Sequence, residues 1–234
     1  MPINSKQLVT TGIVLARTDF QEADRIITVI TPDQGKVKAI AKGVRRPNSK
    51  LAGGIELFSV SNFTFLLGRG DLHTLVSSRL IEHYGNIVKD INRTMLGYEL
   101  LKRFNRITEE AAGEEFFTLL RCTLTGLNDM DLIPELIELW FDMQLLKLTG
   151  HSPNLRTDTE GKKLESTENY IFNFDDMAFT QSKNGPQSAN HIKLLRLGIG
   201  AQDPTILTQV KGTEKLARES LQLAKAMVRF TLRI

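Results

Sequence analysis

"RIITVITPDQGKVKAIAKG", Arg25 to Gly43, reads as two short strands around a tight turn. Ile, Val and Thr dominate the arms, with stretches of period-two alternation, and Pro32 to Gly35 between them are turn formers. Outward from this pair the pattern recurs in "LVTTGIVLAR" (8–17), "ELFSVSNFTFLL" (56–67) and "LHTLVSSRLIEHY" (72–84). The separators are "TDFQEAD", "PDQG", a basic stretch and "GRGD".

Five strands in about 80 residues with Gly-marked turns predict a small closed barrel. A five-stranded Greek-key barrel of this size is an OB-fold, which commonly binds single-stranded nucleic acid. After Asn86 the apolar period changes to 3.6, with Ile87, Ile91, Met95, Tyr98 and Leu101 or Lys102 on successive turns. "EEFFTLLRCTLTGL" and "DLIPELIELWFDMQLLKLTG" continue the helical pattern, the second with Asp131 as expected N-cap, Pro134 in its first turn and Gly150 as stop. A last helix is expected from about Thr213 to Arg233. Residues 151–190 are polar and carry one apolar pair, "YIFNF" and "AFT", joined by "DDM". The expected fold class is therefore α+β. An OB-fold barrel occupies 1–85 and a mostly helical domain 86–234, with an inserted loop and short hairpin at about 151–190.

Hydrophobic residues make up 41% and charged residues 24% of 234, a composition ordinary for soluble domains. No run of 18 apolar residues exists and the N-terminus lacks a signal pattern, so a cytoplasmic protein without membrane contact is expected. One cysteine, Cys122, excludes an intrachain disulfide and a cysteine-based metal site, and no cofactor is expected. The net charge is +3 but unevenly spread: residues 1–85 hold 11 Lys/Arg against 7 Asp/Glu, and the remainder 19 against 20.

Lys36, Lys38, Lys42, Arg45, Arg46 and Lys50 fall between Gln34 and Ile55 with no acid among them. Pro47, Asn48, Gly53 and Gly54 break the second half of this run, which is expected to be a mobile loop. It is not a phosphate-binding P-loop, because "GVRRPNSK" has Ser before Lys and no second Gly in place. His73, His83, His151 and His191 lack metal-ligand spacing and read as surface or strand-end residues. Glu109/Glu110 and Glu114/Glu115 flank helix starts, where negative charge suits the dipole. No acid, base and nucleophile converge, so an enzyme is not expected.

The stretch from Thr10 to Phe65 resembles the N-terminal domain of the RecO family of DNA recombination mediators. The resemblance lies in the "GIVL" strand, "E-x-D-R-I-I-T-V-I-T", and "GKVKAIAKGVRR" followed by Ser-Lys-Leu. "LLKLTGHSPNL" extends it to the family's helix end before an inserted module. The resemblance implies an OB-fold followed by a helical domain. It also implies a non-enzymatic protein that binds single- and double-stranded DNA, anneals complementary strands, and with RecR helps RecA replace the single-strand-binding protein. Many members carry a four-cysteine zinc module after "G-H-S-P". Here "TDTEG" puts Thr157 and Glu160 where thiolates would be, and no cysteine follows Cys122, so no metal is expected. The hairpin must then hold its shape by packing of Ile171, Phe172, Phe174 or Phe179, as the least stable part of the molecule.

On this reading Lys36, Lys38, Lys42, Arg45, Arg46 and Lys50 track a DNA backbone, with Arg17 and Arg25 as lesser candidates. Phe20, Phe58, Phe63, Phe65 and Tyr84 are the barrel aromatics available for base stacking, but core packing is the favoured reading of each, so electrostatics is expected to carry more of the affinity than stacking. At the C-terminus Lys211, Lys215, Arg218, Gln222, Lys225, Arg229 and Arg233 follow helical spacing, beside an expected core stripe of Leu216, Leu223, Met227, Phe230 and Ile234. The family's helical domain receives the acidic, Phe-ended tail of the single-strand-binding protein, and Lys215, Arg218, Lys225 and Arg229 are the candidate cations. A protein–protein adaptor with weak DNA affinity and an OB-fold RNA binder are the competing readings.

Overall fold

The computed structural model describes residues 6–109, 112–210 and 212–233. Five strands, β1 (Gln7–Phe20), β2 (Asp24–Thr31), β3 (Gly35–Ala41), β4 (Ser59–Leu66) and β5 (Leu72–His83), close into a barrel. The order is β1-β2-β3-β5-β4, with β3 and β5 parallel and every other neighbouring pair antiparallel. This is the architecture of an OB-fold. Val14, Ile27, Val29, Val37, Ala39, Phe63, Phe65 and Leu75 fill the interior from alternate strand positions. A bulge between Val14 and Ala16 bends β1 so that one long strand pairs with both β2 and β4. Gly12 is required beside it, since a Cβ there would lie 2.3 Å from Val29 Cγ1.

Helices α1 (Ile91–Ile107) and α2 (Glu114–Asn128) belong with the barrel in one compact unit, Met1–Asn128. Of the residues that follow the 3.6 period from Ile87, Ile87 and Leu101 are buried, whereas Ile91 is 71% and Met95 65% exposed. The buried face of α1 is Arg93, Gly97, Leu100, Leu101 and Phe104. The reason is Gly97: a Cβ would stand 2.7 Å from Phe58 Cε1, so the bare backbone is what lets this face close on the barrel.

The second unit, Asp129–Ile234, is built around α3 (Pro134–Leu148), which is buried on nearly every side. Asp131 is not its cap; Ile133 holds the N-cap position in extended conformation and Pro134 opens the helix. Trp140 donates its indole N–H to Ala201 O at 3.1 Å. Strands β6 (Asn154–Asp158), β7 (Asn169–Asn173), β8 (Ala178–Gln181) and β9 (Gln187–Ser188) form a sheet of order β6-β8-β7-β9, larger than the expected hairpin. β9 runs directly into α4 (Ala189–Gly200), which the sequence reading did not identify. A 3-10 segment, Pro204–Gln209, precedes α5 (Thr213–Leu232).

Candidate nucleic-acid interface

The β1–β2–β3 register sorts the basic side chains of these three strands onto two faces. Inward rows are Val14–Val29–Val37, Arg17–Ile27–Ala39 and Asp19–Arg25–Ala41. Outward rows are Ile13–Ile30–Lys36, Ala16–Thr28–Lys38 and Thr18–Ile26–Ile40. Arg17 and Arg25 thus lie on the side away from Lys36 and Lys38. Arg17 pairs with Glu56 at 2.8 Å, and Arg25 donates to Asp19 at 2.7 Å. Arg45 joins the second pair, its Nε 3.6 Å from the other Asp19 oxygen and its Nη1 donating to Glu22 O at 3.3 Å. Hydrogen bonding from Arg25, with the nearby charge of Arg45, holds the Asp19 carboxyl below its ordinary value.

Lys36 is also engaged. Its Nζ donates to the carbonyls of Asn105, at 2.6 Å, and Thr108, which close the C-terminal end of α1. Lys38, Lys42, Arg46 and Lys50 are exposed. Among the described residues Lys42, Arg46 and Lys50 have no ion pair, so this subset of the eight candidates is electrostatically uncompensated.

The loop that carries them is wound in turns and pinned at several points rather than hanging free. Val44 is buried in the barrel core. Gly43 N donates to Asp24 Oδ1 at 2.7 Å, Arg45 N to Ala23 O at 2.9 Å, and Ser78 Oγ to Leu51 O at 2.9 Å. The first two bonds seat the loop against the tip of the β1–β2 hairpin, and the third ties it to β5. A groove of about 450 Å³ lies toward the other end of β3, lined by Lys36, Lys38, Gly70, Asp71 and His73. Of the five barrel aromatics, Phe58, Phe63, Phe65 and Tyr84 are buried, whereas Phe20 is 38% exposed at that hairpin tip.

In the second unit the basic stripe of α5 meets acids that the sequence reading passed over. Arg218 reaches Glu135 at 3.2 Å, and Lys225 reaches the buried Glu138 at 2.9 Å. Their signal was present: Glu135 and Glu138, three residues apart, interrupt the apolar first half of the helix. Lys215 and Arg229 are exposed without an ion pair among the described residues, whereas Lys211 and Ile234 lie outside those residues. Leu223 and Met227 are buried as expected, with Ala217, Leu221, Ala224 and Val228, but Phe230 is 51% exposed against Phe174. A groove of about 610 Å³ opens where α3 and α5 begin, lined by Ile133, Leu136, Val210 and Lys215 among others.

His191 is not a surface residue. It is buried at the start of α4, where Ser188 N donates to its Nδ1 at 3.0 Å and its Nε2 meets Glu219 Oε2 at 2.6 Å. The residues around Gly161 do not suit a thiolate zinc site. Asp158 Oδ1 accepts the backbone N–H groups of Glu160 and Lys162 at 2.9 and 2.8 Å, and Thr157 Oγ1 accepts from Asn154. Of the two positions expected to replace thiolates, Thr157 thus bonds to Asn154, and Glu160 pairs with Lys162 at 2.6 Å. Tyr170, Phe172 and Phe179 form the buried aromatic cluster beneath, while Ile171 is exposed.

Two family models match this chain: Recombination protein O N terminal over residues 6–84, and Recombination protein O C terminal over 90–233. Two curated proteins of Dehalococcoides mccartyi strains, both named DNA repair protein RecO, are 31% and 32% identical to it, each match covering 95% of the chain and 90% of the relative. A DNA repair protein RecO of Moorella thermoacetica is 33% identical over 62% of the chain and 53% of its own length.

Proposed function

The chain belongs to the RecO family of DNA repair proteins, and from that premise we propose that it is a non-enzymatic recombination mediator whose barrel binds the DNA backbone. Lys42, Arg46 and Lys50 carry this reading: three cations on one anchored segment, next to exposed Lys38, with no carboxylate paired to them among the described residues. Uncompensated cations on a rigid support neutralise phosphates without reading sequence. In this role the protein binds single- and double-stranded DNA, anneals complementary strands, and works in the cytoplasm with RecR to load RecA. Among the described residues no helix is long and apolar enough to cross a membrane.

The test is a titration of labelled single-stranded DNA at two salt concentrations. Four phosphate contacts give a log–log slope of roughly −3 and, between 50 and 200 mM salt, a loss on the order of 50-fold. The Lys42→Ala/Arg46→Ala/Lys50→Ala variant is expected to flatten the slope by about two units. An unchanged slope would remove this segment from the DNA site and favour the adaptor reading. Tighter binding to RNA of the same length would favour the RNA reading.

For the tail of the single-strand-binding protein, the groove at the start of α3 and α5 favours a dock. It sets apolar Ile133, Leu136 and Val210 beside Lys215, an apolar slot for a Phe ring next to one cation, while Asp131 and Glu214 on the same lining oppose the acidic part of the tail. Tail-peptide affinity unchanged in Lys215→Ala would mean that the tail docks elsewhere.

A further inference from the structure

The outward face of β1–β2–β3 is roofed at one end and open at the other. At the roofed end Ile13 and Ile30 are fully buried although they lie outside the barrel interior. Helices α1 and α2 pack on β1 and α2 on β2, and Lys36 ties the same end to α1. At the open end the row Thr18–Ile26–Ile40 presents two half-buried isoleucines directly across from each other, neither of them part of the interior core. Phe20 follows on the same side of β1, two residues beyond Thr18. Its cross-strand neighbour Asp24 directs its carboxylate to the Gly43 N–H, which turns that oxygen toward the loop backbone. Lys38 on β3 and Lys42 in the turn just past its end lie two residues to either side of Ile40, both exposed. Phe20, Ile26 and Ile40 therefore form an apolar platform bordered by lysines.

We propose that this platform receives an unpaired base, with Phe20 as the stacking residue, and that it gives the barrel its preference for single-stranded over duplex DNA. The proposal rests on the DNA-binding reading above and adds to it a source of selectivity. Lysines alone do not distinguish the two forms, because both present phosphates. An aromatic face distinguishes them, because a duplex base already has both faces stacked on its neighbours, whereas a single-strand base has a face to offer. The placement suits both contacts at once: Lys38 and Lys42 reach the backbone on either side of a base lying over Ile40. Sequence alone could not separate Phe20 from the four core aromatics, since exposure at the hairpin tip decides the matter.

The experiment compares wild type, Phe20→Ala and Phe20→Trp by fluorescence anisotropy on three labelled ligands of equal length: oligo-dT, the same backbone with abasic sites, and a duplex. Stacking of one base is expected to cost Phe20→Ala about 5- to 20-fold on oligo-dT. Affinity for the abasic strand and the duplex should stay within about twofold, with the salt slope unchanged. Phe20→Trp should restore oligo-dT affinity, which guards against loss of fold as the cause. Equal losses on all three ligands, or no loss on oligo-dT, would overturn the platform. The basic-segment reading would still stand if the triple variant flattened the slope, and absence of DNA binding by wild type would remove both.

Discussion

Lys225 of α5 stands 2.9 Å from Glu138 of α3, and the carboxylate it meets is 6% exposed whereas the lysine keeps 24%. The pair shows that part of the basic stripe on α5 serves the fold. Removing the lysine alone takes this counter-charge from a buried carboxylate. Lys225→Ala is therefore expected to cost about 3 kcal/mol, the low end for a buried pair because the lysine retains some solvent. Glu138→Leu/Lys225→Met, which removes both charges, should come close to wild type. Chemical denaturation of the three proteins checks this, and a neutral Lys225→Ala would mean the pair contributes nothing to stability.

Asp19 sits between Arg25 and Arg45 and withdraws both from any bound anion. Asp19→Asn is expected to raise single-strand affinity at low salt and steepen the salt slope by about one unit. Acid should act in the same direction. The Asp19 carboxyl lies below its ordinary value chiefly through the hydrogen bond from Arg25, so its contribution to stability is present above the unfolded value. That contribution is lost as pH falls through the lowered folded value, and the two arginines are released with it. A salt slope in Asp19→Asn equal to that of wild type would show that Arg25 and Arg45 do not reach the DNA.

The barrel was legible because each of its strands carries its own β-rich pattern between turn formers. Arg25 to Gly43 needed no tertiary information to be read as a strand pair. On α1 the 3.6 period joined buried Leu101 to exposed Ile91 and Met95, because period alone cannot tell which face is buried. Ile91 and Met95 form the more apolar row, but Gly97 forms the row that fits against Phe58. Among the site residues, the run from Lys36 to Lys50 was visible as a run, yet charge composition does not show where the acids fold. Asp19 and Glu56 lie far from Arg45 and Arg17 in sequence and beside them in space. His191 was misplaced for a related reason: its partner Glu219 lies on another helix.

Asp158 holds the turn in which other family members carry thiolates. One oxygen accepts two backbone N–H groups, and Gly161, at φ +81°, gives the turn the left-handed residue it needs. Asp158→Ala leaves both donors without an acceptor, at a cost of about 1–3 kcal/mol. Loss of amide protection confined to β6 and β8 is the expected signature in hydrogen exchange. The wild-type protein should contain no stoichiometric zinc, and a chelator should leave its melting temperature unchanged. One tightly held zinc per chain would contradict this account of the turn.

Lys36 separates structure from binding within a single run of lysines. It lies on β3 two residues before Lys38, on the same face, so a purely electrostatic reading assigns both to DNA. Its ammonium instead meets the carbonyls of Asn105 and Thr108, at the end of α1 where the helix dipole is negative and carbonyls lack intrahelical donors. Charge-assisted bonds of this kind contribute about 1.5–3 kcal/mol each at most, and truncation also exposes those carbonyls to imperfect solvation. Lys36→Met, which keeps most of the apolar stem, is therefore expected to lower the melting temperature and to weaken the seating of α1 on the barrel. Its DNA salt slope should remain that of wild type, whereas Lys42→Met should flatten the slope by about 0.7 and leave the melting temperature alone. The two variants remove the same charge six residues apart, so only their surroundings can make them differ. A flattened slope in Lys36→Met with unchanged stability would return Lys36 to the DNA track and remove the helix-end role.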